Sequence, residues 1–431
     1  MTDAEGRNQQ MKKNKYILIP AIFVLLVLAL KLQSFKSDPA DTTIAKKPEQ
    51  ASQPIYNPLA EIQSALHEFD SLLAINFKES GIVGGAAVVT YKGEIALLKC
   101  YGVRKAGDAA PVDKNTVFRL ASVSKPITGL LAGILDDEGV VKLDDHVVDY
   151  LPNLRLKDAK STRELQVRHL LSHTSGLIPH AYDLMVEDKV PLEKIMERLN
   201  QVDITAPPGE LYGYQNVIYS IYDPVVRTKT EKSFDIVMHE KVFEPFEMKD
   251  ASTGFEAFKA NPNKAYPHYN RGHNRYAPMR LNDRYYSTVP AAGVNASISD
   301  LGQLLAHLTN PDSKVLSGNA RETVFTPQVK SPLRRTYFRS WGRGIQSKQY
   351  SIGWRIVNYK GRKVAYHGGY VLGYKAEIAY CEEEDFGIAY LCNSPNSNTA
   401  KAIPEILNLM FAEHDRLAME KSEETGPGDK S

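Results

Sequence analysis

Strand-forming segments occur at two widely separated places in this chain, and almost everything between them reads as helix and loop. GAAVVTY (85–91) and EIALLKCYG (94–102) have strand length and apolar content, and Lys92-Gly93 joins them as a hairpin turn. Strand signals return in YSIGWRIVNY, KVAYHGG, YKAEIAY and FGIAYLCN, between residues 350 and 393. A helical face of Leu59, Ile62, Leu66, Phe69, Leu72 and Leu73 precedes the first group, and another of Ile403, Ile406, Leu407, Met410 and Phe411 follows the last. The order helix, strands, helices, strands, helix predicts an α+β fold, an α/β sandwich. One antiparallel sheet is built from both ends of the chain and flanked by the terminal helices, and an all-helical lobe from about 118 to 325 is inserted between them.

Upstream, Tyr16 to Leu30 is apolar without interruption, with Lys12, Lys13 and Lys15 before it and Lys31 and Lys36 after it. As a helix it covers about 23 Å of a hydrocarbon core of about 30 Å, and Leu32 with a snorkelling Lys31 extends the span. No small-x-small site closes the run, so an uncleaved anchor is expected, with a cleaved signal peptide as the alternative. The expected divisions are a cytoplasmic N-terminus (1–15), a transmembrane signal-anchor (16–32), a polar linker (33–56), a globular domain (57–412) and a disordered charged tail (413–431). The lysine-rich flank places the globular domain on the periplasmic or extracytoplasmic side of the inner (cell) membrane.

A net charge of +2 argues against a nucleic-acid partner. The three cysteines, Cys100, Cys381 and Cys392, have neither C-x-x-C spacing nor histidines at zinc-finger distance, which argues against a structural metal.

Chemistry concentrates in three motifs. In FRLASVSKPITGLLAGIL, Ser122 and Lys125 stand three apart at the head of an apolar helical run, on one helix face. A serine hydroxyl needs a neighbouring base, and a lysine in a dry, cation-crowded site can lose its proton and act as one. The helix N-terminus adds N–H groups for an oxyanion. The bland alternative is a capping serine beside a solvated lysine. In APPGELYGYQNVIYS, Tyr214 and Asn216 flank Gln215 after a turn; a tyrosinate can serve as base and an asparagine amide can bind a substrate carbonyl or fix the lysine. In YHGGYVLGY, His367, Gly368 and Gly369 open a strand along which a substrate can lie.

S-x-x-K, Y-x-N and H-x-G each occur once, in that order. Together they resemble the serine β-lactamase and penicillin-binding protein family, in the branch of class C β-lactamases, D,D-peptidases, D-aminopeptidases and esterases. VRHLLSHTSGL (167–177), PAAGVNASISDLGQLL (290–305) and YSIGW (350–354) agree, so the resemblance covers about residues 57 to 412. It implies Ser122 as the acylated nucleophile, Lys125 as its proton partner, Tyr214 as the base and Asn216 as a ligand of the substrate amide. It also implies an oxyanion hole from the backbone N–H groups of Ser122 and Tyr370, a structural role for His173, and no metal or organic cofactor. His367 stands where many relatives have lysine, which reduces the fixed charge available to a substrate carboxylate. Gln215 replaces the serine usual in the tyrosine motif.

The expected activity is cleavage of an amide or ester, with a D-amino-acid peptide or cell-wall fragment as the substrate class. A true β-lactamase, an esterase and a non-catalytic membrane-tethered sensor are the alternatives, and the oligomeric state is left open. Arg271, Arg275, Arg280 and Arg284, with Arg334, Arg335, Arg339 and Arg343, are expected to edge the cleft and attract an anionic group.

Overall fold

Helix α1 (Gln63–Ser80) buries Leu66, Phe69, Leu73 and Phe77 along one stripe and stops at Gly81, whose left-handed backbone (φ 63°) closes the helix. Strands β1 (Gly84–Tyr91) and β2 (Glu94–Gly102) follow. The lobe holds α2 (Ser124–Asp137), α3 (Asn216–Ser220), α4 (Val289–Ala292), α5 (Ile298–Thr309) and α6 (Gly318–Phe325) among shorter turns. The chain then returns to the sheet as β3 (Val329–Lys330), β4 (Ile345–Tyr350), β5 (Arg355–Tyr359), β6 (Arg362–Val371), β7 (Tyr374–Cys381) and β8 (Phe386–Cys392), and ends in α7 (Ala402–Glu424). This computed structural model describes residues 58–332, 337–396 and 398–424.

The sheet order is β2-β1-β8-β7-β6-β5-β4-β3, with every neighbouring pair antiparallel. The N-terminal hairpin therefore closes onto the last strand, Val88 opposite both Ala389 and Leu98. Every residue of β1 is buried because both faces of the sheet are covered. Alternation sends Ala87 and Val89 to a layer with Phe69, Ile406 and Met410, and Ala86 and Val88 to one with Leu301 and Leu305. Asn76 of α1 donates to Glu405 of α7 at 3.0 Å and joins the terminal helices.

Helix α2 lies on the lobe side of this sheet. Its residues from Ser124 to Gly133 are all buried, as expected of a helix apolar on every side. Ser124 Oγ accepts from Val294 N at 2.9 Å and Thr128 Oγ1 donates to Pro290 O at 2.9 Å, which pin α2 to α4 and the strand after it.

Four expectations are corrected or fall outside these residues. The lobe is not all-helical: Phe118–Arg119, Val294–Ala296 and Ser252–Thr253 form a small antiparallel sheet, and His268–Asn270 pairs with Tyr276–Pro278. Pieces of two or three residues are too short to show a period. YSIGWRIVNY is two strands, because Gly353 (φ 82°) turns the chain where a Cβ would stand 2.3 Å from Lys125 O. The ordered chain does not end near 412, since α7 continues to Glu424. Its last turns are held by Arg416 to Glu413 and Glu420, by Arg362 to Asp415, and by His414 to Glu384. The anchor and linker lie outside the described residues, among which no helix is long and apolar enough to cross a membrane.

Candidate active site

Ser122 sits on a short 3-10 turn (Ala121–Val123) that runs directly into α2, so Lys125 projects from the first turn of the same helix. Ala121 carries a left-handed backbone (φ 48°), as do His173 (φ 58°), His180 (φ 60°) and Tyr182 (φ 63°) around the same site. Each such residue costs about 1–3 kcal/mol and persists only where the surroundings impose it.

The structure brings Ser122, Lys125, Tyr214 and Asn216 into direct contact. Tyr214 OH donates to Ser122 Oγ at 2.8 Å, and Lys125 Nζ stands 3.4 Å from the same oxygen. Lys125 Nζ also donates to Asn216 Oδ1 at 2.8 Å and to Ala291 O at 3.0 Å. These three contacts suit either the three protons of an ammonium or the two protons and one lone pair of a neutral amine. Burial drives Lys125 well below the ordinary lysine range; Asp183 opposes this and Arg355 reinforces it. Burial pushes Tyr214 upward, against the Arg355 charge and the Ser122 hydrogen bond, so the phenol keeps its proton. These directions favour the lysine over a tyrosinate as the proton acceptor beside Ser122.

His173 orders this cluster from behind. It is fully buried, its Nδ1 accepts from Gln215 N at 3.2 Å, its carbonyl accepts from Gly213 N at 2.8 Å, and its ring lies 4.4 Å from that of Tyr214. Gln215 is fully buried and its amide donates to Ile178 O, which ties the tyrosine segment to the SHTSGL loop.

A pocket of about 320 Å³ opens over Ser122, lined by Tyr212, Tyr214, His180, Tyr337, Lys348, Arg355, Gly368 and Tyr370 among others. Gly369 is dictated by closeness: a Cβ there would stand 2.3 Å from Leu120 O and 2.9 Å from Ser122 N. Strand β6 thus runs against the nucleophile turn, with Tyr370 70% exposed at the mouth. His367, expected as a substrate ligand, does not line the pocket. It is fully buried, its Nδ1 faces Gly368 O at 3.0 Å and its Nε2 accepts from Tyr350 OH at 3.1 Å. Burial, helped by Arg355 and Lys125, keeps it neutral.

The arginine expectation is also corrected. No residue of the 268–286 stretch lines the pocket, and Arg334 and Arg335 lie outside the described residues. The pocket's cations are Lys348, whose ammonium stands 4.7 Å from the Phe338 ring, and Arg355, which sequence reasoning missed. Arg355 donates to Tyr212 OH at 3.0 Å and lies over the rings of Tyr337 (4.7 Å), Tyr214 (5.4 Å) and Tyr350 (5.6 Å). Its Nε is buried without a hydrogen-bond partner among the described residues. Asp183, also missed, accepts from Asn216 Nδ2 at 3.1 and 3.3 Å and faces His180 Nδ1 at 2.8 Å.

Comparison with known proteins gives the context. The β-lactamase family model matches residues 62–409. The chain belongs to the β-lactamase family. Family membership makes it a serine-type hydrolase in the general sense. The β-lactamase of Yersinia enterocolitica is 25% identical over 82% of this chain and 93% of that protein. Protein flp of Staphylococcus aureus is 23% identical over 81% of this chain and 67% of that protein. The β-lactamase fold is shared with an octameric penicillin-binding protein homologue from Pyrococcus abyssi (TM-score 0.68, 23% identity, 80% of this chain and 77% of that one). It is shared too with EstCE1, described as a hydrolase with promiscuous acyltransferase activity (TM-score 0.66, 21% identity, 82% of this chain and 99% of that one).

Proposed function

We propose that this chain cleaves an amide or ester bond in a substrate bearing a carboxylate, through an acyl-enzyme on Ser122. The observation that carries the reading is the convergence of Tyr214 OH and Lys125 Nζ on Ser122 Oγ, with the lysine fully buried in surroundings that favour its free amine. Ser122 Oγ adds to the carbonyl carbon while its proton passes to Lys125. The amine or alcohol then leaves with a proton supplied from the Lys125–Tyr214 pair, and the acyl group remains as an ester on Ser122. Water adds to that ester, its proton returns through the same pair to Ser122 Oγ, and the carboxylic acid departs. The N–H of Ser122 and that of Tyr370 are the proposed oxyanion donors, Asn216 holds Lys125, and His367 supports Tyr350 from behind the strand.

Arg355 supports the carboxylate. A mostly buried guanidinium ringed by tyrosines keeps its charge at any physiological pH, and an anion brought by the substrate relieves its missing counter-charge. The resemblance to D,D-peptidases favours a D-amino-acid peptide or cell-wall fragment as that substrate. The apolar run from Tyr16 to Leu30 between lysines supports a membrane tether, with the hydrolase domain outside the cytoplasm. A true β-lactamase is the second reading, favoured by the similarity along 93% of the Yersinia enzyme.

The test uses the purified chain with a fluorescent penicillin and with paired ester substrates, one carrying a free carboxylate and one amidated. A covalent adduct and a higher kcat/KM for the carboxylate form, shrinking as salt rises, are expected. Rapid turnover of the penicillin would shift the assignment to β-lactamase; equal rates for the pair at low salt would remove the carboxylate.

A further inference from the structure

An asparagine amide presents either an acceptor or a donor to its neighbour, and the choice decides whether Lys125 can act as a base. With Oδ1 toward Nζ, Asn216 takes up one amine proton and leaves the lone pair for Ser122. With the amide reversed, its N–H groups would occupy that lone pair and disable the base. Nothing in Asn216 itself selects the first arrangement.

Asp183 does. Both of its carboxylate oxygens accept from Asn216 Nδ2, at 3.1 and 3.3 Å, so the amide nitrogen must point away from Lys125 and Oδ1 must point toward it, at 2.8 Å. A carboxylate has no proton to donate to a reversed amide, so the alternative is closed. We propose that Asp183 is a positioning residue for the hydrolytic reaction, acting through Asn216 to keep the lone pair of Lys125 aimed at Ser122 and placing a negative charge that faces the lysine. This rests on the proposed acyl-serine reading.

Electrostatics adds a measurable consequence. The charged groups that face Lys125 are Asp183 from the 183–187 segment and Arg355 from β5. Tyr214 and Tyr219 present their rings at 4.6 and 5.5 Å, and burial keeps His173 and His367 uncharged. His180 is the other titratable group on Asp183. The Asp183 carboxylate favours the ammonium form of Lys125. Removing that charge lets the free amine persist to lower pH, so the acid limb of the acylation profile moves down.

The experiment measures the acylation rate against pH with a fluorophosphonate, in the whole chain, for wild type, Asp183→Asn, Asp183→Glu and Asp183→Ala. Intact mass at saturation gives the fraction of competent sites, so misfolded protein is counted out. Asp183→Asn is expected to move the acid limb down by about one pH unit, and Asp183→Glu to leave it in place. Asp183→Ala, which frees the amide, should lose about tenfold of the plateau rate per competent site. The same pair is repeated in a His180→Gln background, where the shift must persist; its disappearance would assign the proton to His180 and overturn the proposal. An unmoved limb in Asp183→Asn beside a normally labelled wild type would overturn the role of Asp183 alone. A wild type that forms no adduct on Ser122 would overturn both this and the reading beneath it.

Discussion

Two basic side chains stand near Ser122, Lys125 fully buried beside it and Arg355 in the lining of the pocket over it, and their environments treat them differently. Lys125 comes from the helical lobe and Arg355 from the sheet, and both are enclosed by tyrosine rings. An ammonium in a dry site can give up its proton, and burial drives Lys125 that way. A guanidinium has no such escape, so Arg355 stays charged and in need of an anion. Enclosure by tyrosines therefore favours the neutral form of one side chain and leaves the other charged. The Arg355 charge also pushes Lys125 further toward the free amine.

The contrast is broken most severely by making the two side chains alike. Lys125→Arg puts a permanent charge in place of the proton acceptor, and acylation by a fluorophosphonate should fall by about 10³-fold or more; near-normal labelling would show that another base is at work. Tyr214→Phe leaves Lys125 in place but removes the donor to Ser122 Oγ, so a smaller loss of about 10²-fold is expected in single-turnover hydrolysis. Arg355→Met should lower kcat/KM about tenfold for the carboxylate ester and leave the amidated one near its wild-type value, since one side chain is altered and the other kept. A parallel loss for both substrates would make Arg355 a structural brace.

Much of the lobe's share of the site was legible in sequence, and little of the sheet's. Ser122 and Lys125 share a local signature, because three residues along a helix set two side chains side by side, and the other two motifs with the family resemblance distinguish it from a capping serine. Tyr214 and Asn216 flank one residue in an extended segment, another local relation. Arg355 has no such signature. It sits in a stretch that reads as plain strand, and its meaning comes from Tyr212, Tyr214, Tyr337 and Tyr350, which three different segments deliver. Asp183 opens a helix of five residues, too short for a period, and acquires a role only through Asn216 thirty-three positions later. His367 was visible as a motif, but its direction depends on the pleat, which turns it to Tyr350 rather than to the pocket. The sheet itself was readable from its two ends, while β4 lies ahead of the stretch where the strand signals return.

The smallest effect concerns stability, where neutral histidines act together. Burial lowers His173 and His367 well below the usual range, and holds His169 and His414 at about 4. The unfolded chain binds protons at these sites from about pH 6.5 downward while the folded chain does not, so stability falls as pH drops. Asp300, pushed up to about 6 by burial, works the other way, as do Asp223, Asp385 and Glu405, which burial also raises. Tm should fall by roughly a few degrees between pH 7 and pH 5, and a flat profile would show that these histidines gain protons without unfolding.

The central claim, that Ser122 is made nucleophilic by a lysine held as the free amine, has a direct test. The chain is labelled with a fluorophosphonate across a pH series, digested, and the adduct located by mass. The expected result is one adduct, on the peptide carrying Ser122, absent in Ser122→Ala. Its rate should keep its plateau well below the pH at which an ordinary lysine loses its proton. An adduct on another residue, undiminished labelling of Ser122→Ala, or a rate that rises only near pH 10 would contradict it.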